Sequence, residues 1–422
     1  MINIIKSSDK AEIRKIKGRS SALAGKAAET ARRIIDNIKK NGDNALIDYA
    51  KKFDGTDLSR NKIQVSKKEI KDACKKVAPS IIKSLKTAAI NISKFAEYQL
   101  PEEWKKEINK GIIVGQIIRP LDSVGCYAPG GNYPLVSSVL MTVIPAKIAG
   151  VKEIIVCCPK ITNEILAACG IAGATKVFRV GGAQAIAAMA YGTETIPKVN
   201  KIVGPGNVYV TAAKKLVFGD VGVDFLAGPT EIMIIAKKAN AEFIAADMLA
   251  QAEHDIMASA LLITPNNALA EKVRQEIEKQ IKRLKTKEIA KKSLENFGAI
   301  IVVKNIEEAF ELANDFAPEH LEIMDDNENL IKKVRNAGAV FLGSYSPEAA
   351  GDYCSGPNHV LPTQGFAKIR AGLGVMDFLK MPTFQKLTKD GLRGIKNAIM
   401  DIAELEGLDA HSKSVKKRFE DD

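Results

Sequence analysis

The chain has four histidines in 422 residues, and each lies near an oxygen-bearing side chain in the sequence. Three follow a glutamine, glutamate or aspartate within three positions, and the fourth shares a glycine-rich loop with an aspartate. The pairs are Gln251 with His254, Glu319 with His320, Asp352 with His359, and Asp409 with His411. Imidazole titrates near neutral pH and binds metal ions, so the pairs predict proton transfer, metal binding or both.

Gln251 and His254 follow a run of ten residues, AEFIAADMLA, in which apolar side chains recur at helical spacing. Residues three apart on a helix share a face, so both side chains are expected to point the same way. Such a pair is more often a hydrogen-bonded unit in a core than a set of metal ligands. With Asp352 and His411 it offers two nitrogen and two oxygen donors, which suit zinc, manganese or cobalt and not a thiolate-preferring metal.

Glu319 and His320 lie between Pro318 and the apolar segment LEIM. Neighbouring side chains in an extended loop point in different directions, so the two could serve successive steps. His320 could accept a proton from an alcohol, and Glu319 could activate a water molecule. A Pro-Glu-His helix cap is the structural alternative, and these residues alone favour neither interpretation.

Short β-branched runs, followed by glycine turns or alanine-rich helical segments, begin near Ile112. They span residues 124–128, 153–158, 176–180, 201–203 and 232–236. This alternation predicts a parallel sheet with crossover helices, in which ligands bind beyond the carboxyl ends of the strands. The turns YAPGGN, VGGAQA and GPGNVY lack the standard dinucleotide fingerprint. Together they would bring Tyr127, Gln184 and Asn207 to one nucleotide-sized ligand.

The flanking segments complete the expected architecture. Strands over 260–264 and 299–303, separated by a charged helix, predict a second α/β domain. Residues 1–110 are predicted to be helical, with helices over 27–53 and 67–100. The closing segment, 381–422, is predicted to be a basic helical tail without a partner of its own, and a second subunit is one candidate partner.

The composition indicates a soluble globular protein of two or three domains, since 46% of the residues are hydrophobic. The cysteine spacing fits no disulfide framework or cysteine zinc site, and neither a signal peptide nor a membrane span is visible. We therefore expect a cytoplasmic protein with no membrane partner.

The net charge of +12 suggests nucleic-acid binding as a hypothesis. Its lysines alternate with acids on amphipathic helices, so solvated helix faces explain the charge better and no nucleic-acid partner is expected.

Ordered motifs extend over nearly the whole chain: CYAPGGNYP, VGGAQAIAA, GPGN, AGPTE, QAEHD, APEHLE, GDYCSGPNHVLPT, GLGVMDFL and DAH. In this order they resemble the L-histidinol dehydrogenases. The resemblance implies two Rossmann-like domains with parallel sheets, as in aldehyde dehydrogenases, plus a helical N-terminal arm and a C-terminal dimerisation tail. It implies a NAD-dependent zinc oxidoreductase that converts L-histidinol through L-histidinaldehyde to L-histidine, the last steps of histidine biosynthesis, using two NAD.

The resemblance also implies roles for individual residues. One zinc ion per subunit would be held by Gln251, His254, Asp352 and, from the other subunit of an intertwined homodimer, His411. His320 would be the general base, and Glu319 would activate water. Contacts with L-histidinol are implied at Thr230, Gln251, His254, His320, Asp352, Glu406 and His411. Contacts with NAD are implied at Tyr127, Gln184 and Asn207.

The implied domains are an N-terminal arm (1–25), a larger α/β domain with the metal and catalytic residues (26–122 and 231–380), an NAD-binding domain (123–230) and an intersubunit tail (381–422). Two places depart from the family's usual pattern. Thr230 stands where many relatives have serine, and because the hydroxyl is retained we expect substrate binding to survive. Lys368 and Ile369 replace a more usual aromatic and serine-rich stretch, which concerns the packing of that loop and not the chemistry.

Two other functions fit parts of the sequence. A metal-free aldehyde dehydrogenase with a cysteine thiolate would use Cys126 or Cys354, which both lie beside glycine-rich loops. A basic nucleic-acid binder would use the excess of lysine. The first predicts that a chelator leaves turnover intact. The second predicts salt-sensitive retention of nucleic acid without NADH formation.

Overall fold

The structure is a computed structural model that describes residues 2–18, 24–130, 135–226 and 228–420. Two parallel sheets carry helices on both faces, which confirms the α/β fold class. Within the described ranges, no helix is both long and apolar enough to cross a membrane. The chain divides into two compact units, one of Met1–Gln99 and Leu121–Phe378 and the other of Leu100–Pro120 and Leu379–Asp422.

Helices and strands alternate along most of the chain. The α-helices are α1 (Lys10–Lys17), α2 (Ala24–Asp54), α3 (Arg60–Ile63), α4 (Lys67–Lys76), α5 (Pro79–Tyr98), α6 (Val136–Ile148), α7 (Asn163–Ala172), α8 (Gly182–Tyr191), α9 (Val208–Val217), α10 (Ala241–Ala252), α11 (Asn267–Gln280), α12 (Lys287–Phe297), α13 (Ile306–Phe316), α14 (Glu348–Tyr353), α15 (Lys389–Leu405) and α16 (Asp409–Lys416). The strands are β1 (Asn3–Lys6), β2 (Trp104–Asn109), β3 (Ile112–Gln116), β4 (Arg119–Pro120), β5 (Ser123–Tyr127), β6 (Glu153–Cys157), β7 (Lys176–Phe178), β8 (Lys201–Val203), β9 (Gly222–Val223), β10 (Glu231–Ile235), β11 (Ser259–Thr264), β12 (Ala299–Val302), β13 (His320–Ile323), β14 (Ala339–Leu342), β15 (Leu379–Lys380) and β16 (Thr383–Leu387). Short 3-10 helices span Ile281–Arg283, Glu328–Lys333, Phe366–Lys368, Val375–Phe378 and Lys417–Phe419.

The smaller parallel sheet has the strand order β7-β6-β5-β8-β9. The connections diverge on either side of β5, and ligand clefts open at such points in α/β sheets. Every residue of β5 is buried, as expected for a strand covered on both faces. Its last residue is Tyr127, so this side chain belongs to the carboxyl edge of the sheet.

Two layers of helices cover this sheet. α2 packs on α8 and α9 on one side, and α6 and α7 form the other layer with α4 and α5. α2 bends at Gly42, which has φ of +50°. A Cβ there would lie 2.2 Å from Oε2 of Glu194, which accepts a hydrogen bond from the Asp43 N–H. The bend therefore requires glycine.

The larger parallel sheet has the strand order β1-β12-β11-β10-β13-β14. Side chains alternate between its faces along β10, as the pleat dictates. Ile232 and Ile234 pack towards α10, α11 and α12. Met233 and Ile235 pack towards α1 and α13. The sheet is therefore a buried central layer with helices on both faces, and the ends of its strands are left uncovered.

The second compact unit joins two segments that are distant in the sequence. β16, β3 and β2 form an antiparallel sheet, and β15 pairs with β4. α15 and α16 pack on each other. Ile402 and Leu405 in the last turn of α15, and Leu408 just before α16, are exposed, Leu405 to 87%. The unit thus presents apolar side chains at its helical end.

Three strands replace helix that the sequence predicts. β1 and β2 lie within residues 1–110, and β16 lies within the segment predicted to be a helical tail. β1 pairs with the predicted strand β12, whereas β2 and β16 both pair with β3, which local periodicity does not identify. β structure depends on such distant neighbours. The helices between Ala24 and Tyr98 pack on the smaller sheet's helices, so grouping residues 26–122 with 231–380 does not follow from these contacts. The division into domains stays a prediction.

Candidate active site

A cleft of about 200 Å³ is lined by residues from both parallel sheets. Pro205 and Gly206 come from the turn that follows β8, at the carboxyl edge of the smaller sheet. Glu319 and His320 come from the amino end of β13 in the larger sheet. The carboxyl-edge rule therefore predicts one wall of the cleft and not the other.

His320 is the first residue of β13, and its side chain is 4% exposed. Its Nδ1 lies 3.1 Å from the carbonyl oxygen of Glu231, so the tautomer with a proton on Nδ1 donates this hydrogen bond. Its Nε2 has no hydrogen-bond partner among the described residues and lies 3.9 Å from Oδ1 of Asp352. Burial lowers the pKa of His320, and the nearby Asp352 opposes this only in part. A neutral imidazole with an unpartnered ring nitrogen can accept a proton.

Glu319 is held by hydrogen bonds on one carboxylate oxygen. Oε2 accepts from the Thr230 hydroxyl at 2.5 Å and from the Glu231 N–H at 2.9 Å. The same oxygen lies 3.7 Å from Nδ1 of His320. Glu319 and His320 are therefore adjacent in space as well as in sequence, but each is oriented by a different group.

Gln251 lies in the last turn of α10, is fully buried, and bridges two side chains. One end of its amide lies 2.9 Å from Oγ1 of Thr230. The other end lies 2.9 Å and 3.1 Å from the two carboxylate oxygens of Glu348. Burial first, and the neighbouring Asp352 carboxylate second, raise the pKa of Glu348 well above its ordinary value. The amide links the residues around Glu319 to a second group of acids.

His254, Glu348 and Asp352 can direct one donor atom each to a common point, since these atoms lie within 4.8 Å of one another. Nε2 of His254 lies 3.9 Å from Oδ2 of Asp352. Two carboxylates so close together repel one another unless a cation or protons lie between them. The donor set of nitrogen and carboxylate or amide oxygen fits a zinc ion.

The structure brings most of the predicted catalytic, metal and substrate residues together. Those around the cleft are Thr230, Gln251, His254, Glu319, His320 and Asp352. Glu406 and His411 belong to the second compact unit, where Glu406 follows the end of α15 and His411 lies in α16. Both of these side chains are exposed.

The residues predicted to contact NAD follow three strands of the smaller sheet. The Tyr127 hydroxyl accepts a hydrogen bond from the Gly182 N–H at 3.0 Å, which ties the end of β5 to the start of α8. Gln184 lies in the first turn of α8 and is 2% exposed. Asn207 caps α9 by accepting from the Tyr209 and Val210 N–H groups. Residues 131–134 of the first glycine motif lie outside the described residues.

Two further residues belong to this site: Glu348, to which the sequence reasoning gave no role, and His359, which it paired with Asp352 without a specific task. Glu348 begins α14, four positions before Asp352, and residues four apart share a helix face. That spacing is the signal that could have identified it. His359 lines the cleft, with Nδ1 2.7 Å from the Asp352 carbonyl oxygen, and burial lowers its pKa.

Two local interpretations of the sequence are wrong. α10 ends at Ala252, so Gln251 and His254 do not share a helix face; Gln251 is buried, and the His254 side chain is 45% exposed in the following turn. Asp255 accepts from the Met257 N–H in this turn, an arrangement that competes with helix. The Pro-Glu-His segment is no helix cap, because α13 ends at Phe316 and β13 begins at His320.

The two cysteines that could supply a thiolate have different surroundings. Cys126 lies inside β5, and burial raises the pKa of its thiol to about 12. Cys354 is exposed, directly after α14. Neither is among the residues that line the cleft in the described part of the chain. The geometry therefore gives no support to a cysteine nucleophile here.

Comparison with known proteins gives concordant matches. The histidinol dehydrogenase family matches residues 17–419. The chain is 48% identical over 395 residues to the histidinol dehydrogenase of Methanothermobacter thermautotrophicus, covering 92% of each chain. It is 50% identical over 398 residues to that of Methanococcus maripaludis, covering 92% of this chain and 93% of the relative.

Solved structures extend the comparison to the fold. The crystal structure of histidinol dehydrogenase from Elizabethkingia anophelis matches with a TM-score of 0.95 and 39% identity, over 100% of this chain and 98% of that one. A lactaldehyde dehydrogenase structure matches with a TM-score of 0.50 and 13% identity, over 86% of this chain and 92% of that one. The second likeness is one of fold alone.

Proposed function

Because the chain belongs to the histidinol dehydrogenase family, we propose that it oxidises L-histidinol through L-histidinaldehyde to L-histidine, with two NAD as the oxidants. These are the last steps of histidine biosynthesis. The observation that carries the proposal is the buried, unpartnered Nε2 of His320, which lies beside Asp352 at a cleft shared by the metal donors and a glycine turn. An alcohol in that cleft would meet a base on one side and an oxidant on the other.

A zinc ion would be held by Gln251, His254 and Asp352, with His411 of a second copy as the fourth ligand. The cluster of donor atoms from His254, Asp352 and Glu348 supports this assignment, and the Gln251 amide contacts the Glu348 carboxylate of that cluster. A bound zinc ion supplies positive charge that orients the imidazole and amine of the substrate. Thr230, Glu406 and His411 would complete the substrate contacts, together with the ligands and His320.

His320 would act in the first oxidation. Its Nε2 would remove the hydroxyl proton, and NAD in the proposed site would accept the hydride from the carbinol carbon, giving aldehyde and NADH. The hydrogen bond from Nδ1 to the Glu231 carbonyl keeps Nε2 unprotonated and fixes the plane of the ring. Nδ1 and Nε2 thus have separate tasks, orientation and proton transfer.

Glu319 would act in the second oxidation. Its carboxylate would take a proton from water as the oxygen adds to the aldehyde, and the resulting hydrate anion would collapse to the carboxylic acid as a second NAD accepts its hydride. The Thr230 hydroxyl and the Glu231 N–H hold Oε2 in place for this step. Both oxidations in one cleft keep a reactive aldehyde from solvent.

The NAD site would be formed by Tyr127, Gln184 and Asn207. All three lie at the end of, or just beyond, strands β5, β7 and β8 of the smaller parallel sheet, at the edge where nucleotides bind in this fold class. The strand order around β5 supports the assignment, because the connections diverge there. We propose residues 123–230 as the NAD-binding domain on these grounds.

The active unit would be a homodimer in which the helical tail of one chain reaches the site of the other. Ile402, Leu405 and Leu408 are exposed on that tail, and His411 and Glu406 are exposed near them. An exposed apolar patch of this kind marks a surface for another protein. An exposed histidine and an exposed glutamate beside it could then complete a partner's metal and substrate contacts.

The test is the stoichiometry of NADH formed from L-histidinol. We expect two NADH per histidine, loss of turnover with a chelator, and recovery with zinc. Cys354→Ala should keep full activity, and the chain should show no salt-sensitive retention on nucleic acid. Turnover that survives metal removal but not Cys354→Ala would favour the metal-free aldehyde dehydrogenase instead. Nucleic-acid retention without NADH formation would favour the binding protein.

A further inference from the structure

We propose that Lys214 and Asp224 are positioning residues for the NAD site, and that their buried ion pair fixes the GPGN turn at Gly204. The inference rests on the proposed NAD function, and it adds two residues that do not touch the cofactor. Lys214 lies in α9 and Asp224 directly follows β9. Both belong to the smaller sheet and its helices.

The ion pair is joined to a single residue of the turn by two hydrogen bonds. Nζ of Lys214 pairs with the Asp224 carboxylate, and the two side chains are 3% and 0% exposed. The same Nζ donates to the carbonyl oxygen of Gly204 at 3.0 Å. Oδ2 of Asp224 accepts from the Gly204 N–H at 2.7 Å. Both backbone polar groups of Gly204 are therefore held by the two members of one pair.

Gly204 needs such partners because of its conformation and position. Its φ is +116°, and a Cβ there would lie 2.2 Å from the carbonyl oxygen of Tyr127. Only glycine allows this close approach to the end of β5. The next two residues, Pro205 and Gly206, line the cleft. A shift at Gly204 would therefore move the cleft wall and the proposed NAD contact at Asn207.

Asp224 also connects the turn to another wall of the cleft. Its Oδ1 accepts from the Phe225 N–H at 2.7 Å, and Phe225 lines the cleft. The Arg370 guanidinium lies 4.6 Å from the centroid of the Phe225 ring and binds the Asp377 carboxylate at 3.0 Å and 3.2 Å. One buried carboxylate thus sets the spacing between the glycine turn and an aromatic wall.

A purely structural role for the pair is the alternative to exclude. Buried ion pairs are poor stabilisers, because desolvation of the charges offsets their attraction, and apolar replacements are often as stable. If the pair serves only the core, its removal should lower stability and should not weaken the binding of one ligand more than that of another. A pair that positions the turn changes NAD affinity selectively.

The experiment compares three variants of the full zinc-loaded protein. Lys214→Met removes the donor to Gly204 but keeps an apolar stem. Lys215→Met is the matched control, since Lys215 is the next residue of α9 and is exposed. Val217→Ala is a second control that weakens the same helix at a fully buried position outside the Lys214–Asp224 pair. Each is assayed for the NAD dissociation constant, the KM of both substrates and the melting temperature.

We expect Lys214→Met to weaken NAD binding about tenfold or more, the factor for one hydrogen bond from a charged donor. The KM for L-histidinol should stay within about twofold of the parent protein, since the turn is not among its proposed contacts. Lys215→Met should match the parent protein, and Val217→Ala should lower the melting temperature with NAD affinity unchanged. The effect would then be specific to the pair.

Two results would overturn the inference. One is a folded Lys214→Met protein with unchanged NAD affinity, and the other is an equal loss of affinity for both substrates. If Lys214→Met fails to fold, the double variant Lys214→Met/Asp224→Asn removes both buried charges and is held to the same expectation. A parent protein that forms no NADH from L-histidinol refutes the proposed function, which is a separate outcome.

Discussion

Replacement of His320 by asparagine tests the contributions of the two ring nitrogens of the proposed base separately. The asparagine amide can place a nitrogen near the position of Nδ1, so the hydrogen bond to the Glu231 carbonyl at 3.1 Å can be retained. The atom at Nε2, which has no partner among the described residues, is removed. His320→Asn therefore deletes the proton acceptor and leaves the anchoring contact.

We expect this substitution to lower kcat by a large factor and the free energy of unfolding by only a small amount. Removal of a general base lowers kcat by about 10²- to 10⁴-fold. This corresponds to about 3–5 kcal/mol in the activation barrier at about 1.4 kcal/mol per tenfold. The lost ring atoms leave a small gap in a buried site, which costs on the order of 1–2 kcal/mol of unfolding free energy. Zinc content should be unchanged, since His320 is not a proposed ligand.

The pH dependence provides a second signature of the same residue. Burial places the pKa of His320 below its ordinary value of 6.5. A base works in its neutral form, so kcat/KM should fall only when the pH drops through a pKa below 6.5, and remain flat above it. The kcat/KM of His320→Asn should not show this fall at acidic pH.

Single-turnover NADH formation measures the first hydride transfer directly, with metal analysis on the same samples. His320→Gln is the matched control, because it extends an amide towards the position of Nε2 without basicity. It should be as slow as His320→Asn. If His320→Gln were close to the parent rate, His320 would act by hydrogen bonding alone. A His320→Asn protein within tenfold of the parent rate would refute the general-base assignment.

Three further predictions test other parts of the site and fold. Mixed dimers of an Asp352→Ala chain and a His411→Ala chain should regain about half of the active sites in each heterodimer, and no recovery of activity would exclude sites shared between subunits. Thr230→Ser should retain kcat, whereas Thr230→Val, which removes the hydroxyl bonded to Oε2 of Glu319, should lower kcat about tenfold or more without loss of fold. Asp377→Asn should cost about 3 kcal/mol in urea unfolding at neutral pH, because Lys201 and Arg370 both lose the negative charge of the carboxylate that they bind at 3.0 Å. Burial alone would raise the pKa of Asp377, but Lys201 and its other partners lower it below 3.8, so the stability difference should persist above about pH 4 and shrink as the pH falls further.

Much of the smaller sheet could be predicted from the sequence, because its signals are local. Short apolar runs ending in glycine mark β5, β7 and β8, and a parallel sheet forces their carboxyl ends to one edge. The positions of Tyr127 and Asn207 follow from that rule. The close approach at Gly204 does not, since it depends on which strands become neighbours.

The larger sheet is less predictable for the same reason. Glu319 precedes β13 and His320 is its first residue, so both lie at the amino edge, where the general rule for α/β ligands would not place them. The edge strand β1 comes from the first residues of the chain and pairs with β12 about three hundred positions away. Periodicity within a short window carries no record of such a partner.

The orientation of the Gln251 amide decides which carboxyl group of the cleft holds a proton. If its nitrogen donates to Thr230, the single Thr230 hydroxyl proton goes to Glu319, which then accepts as an ionised carboxylate. The amide oxygen faces Glu348 in this case, and a cation between them or a proton on Glu348 is required. If the amide is reversed, its nitrogen donates to Glu348 and its oxygen takes the Thr230 proton, so Glu319 needs a proton of its own. Only the first orientation presents an amide oxygen to a metal and leaves Glu319 able to draw a proton from water, so the two proposed roles require the same orientation of one side chain.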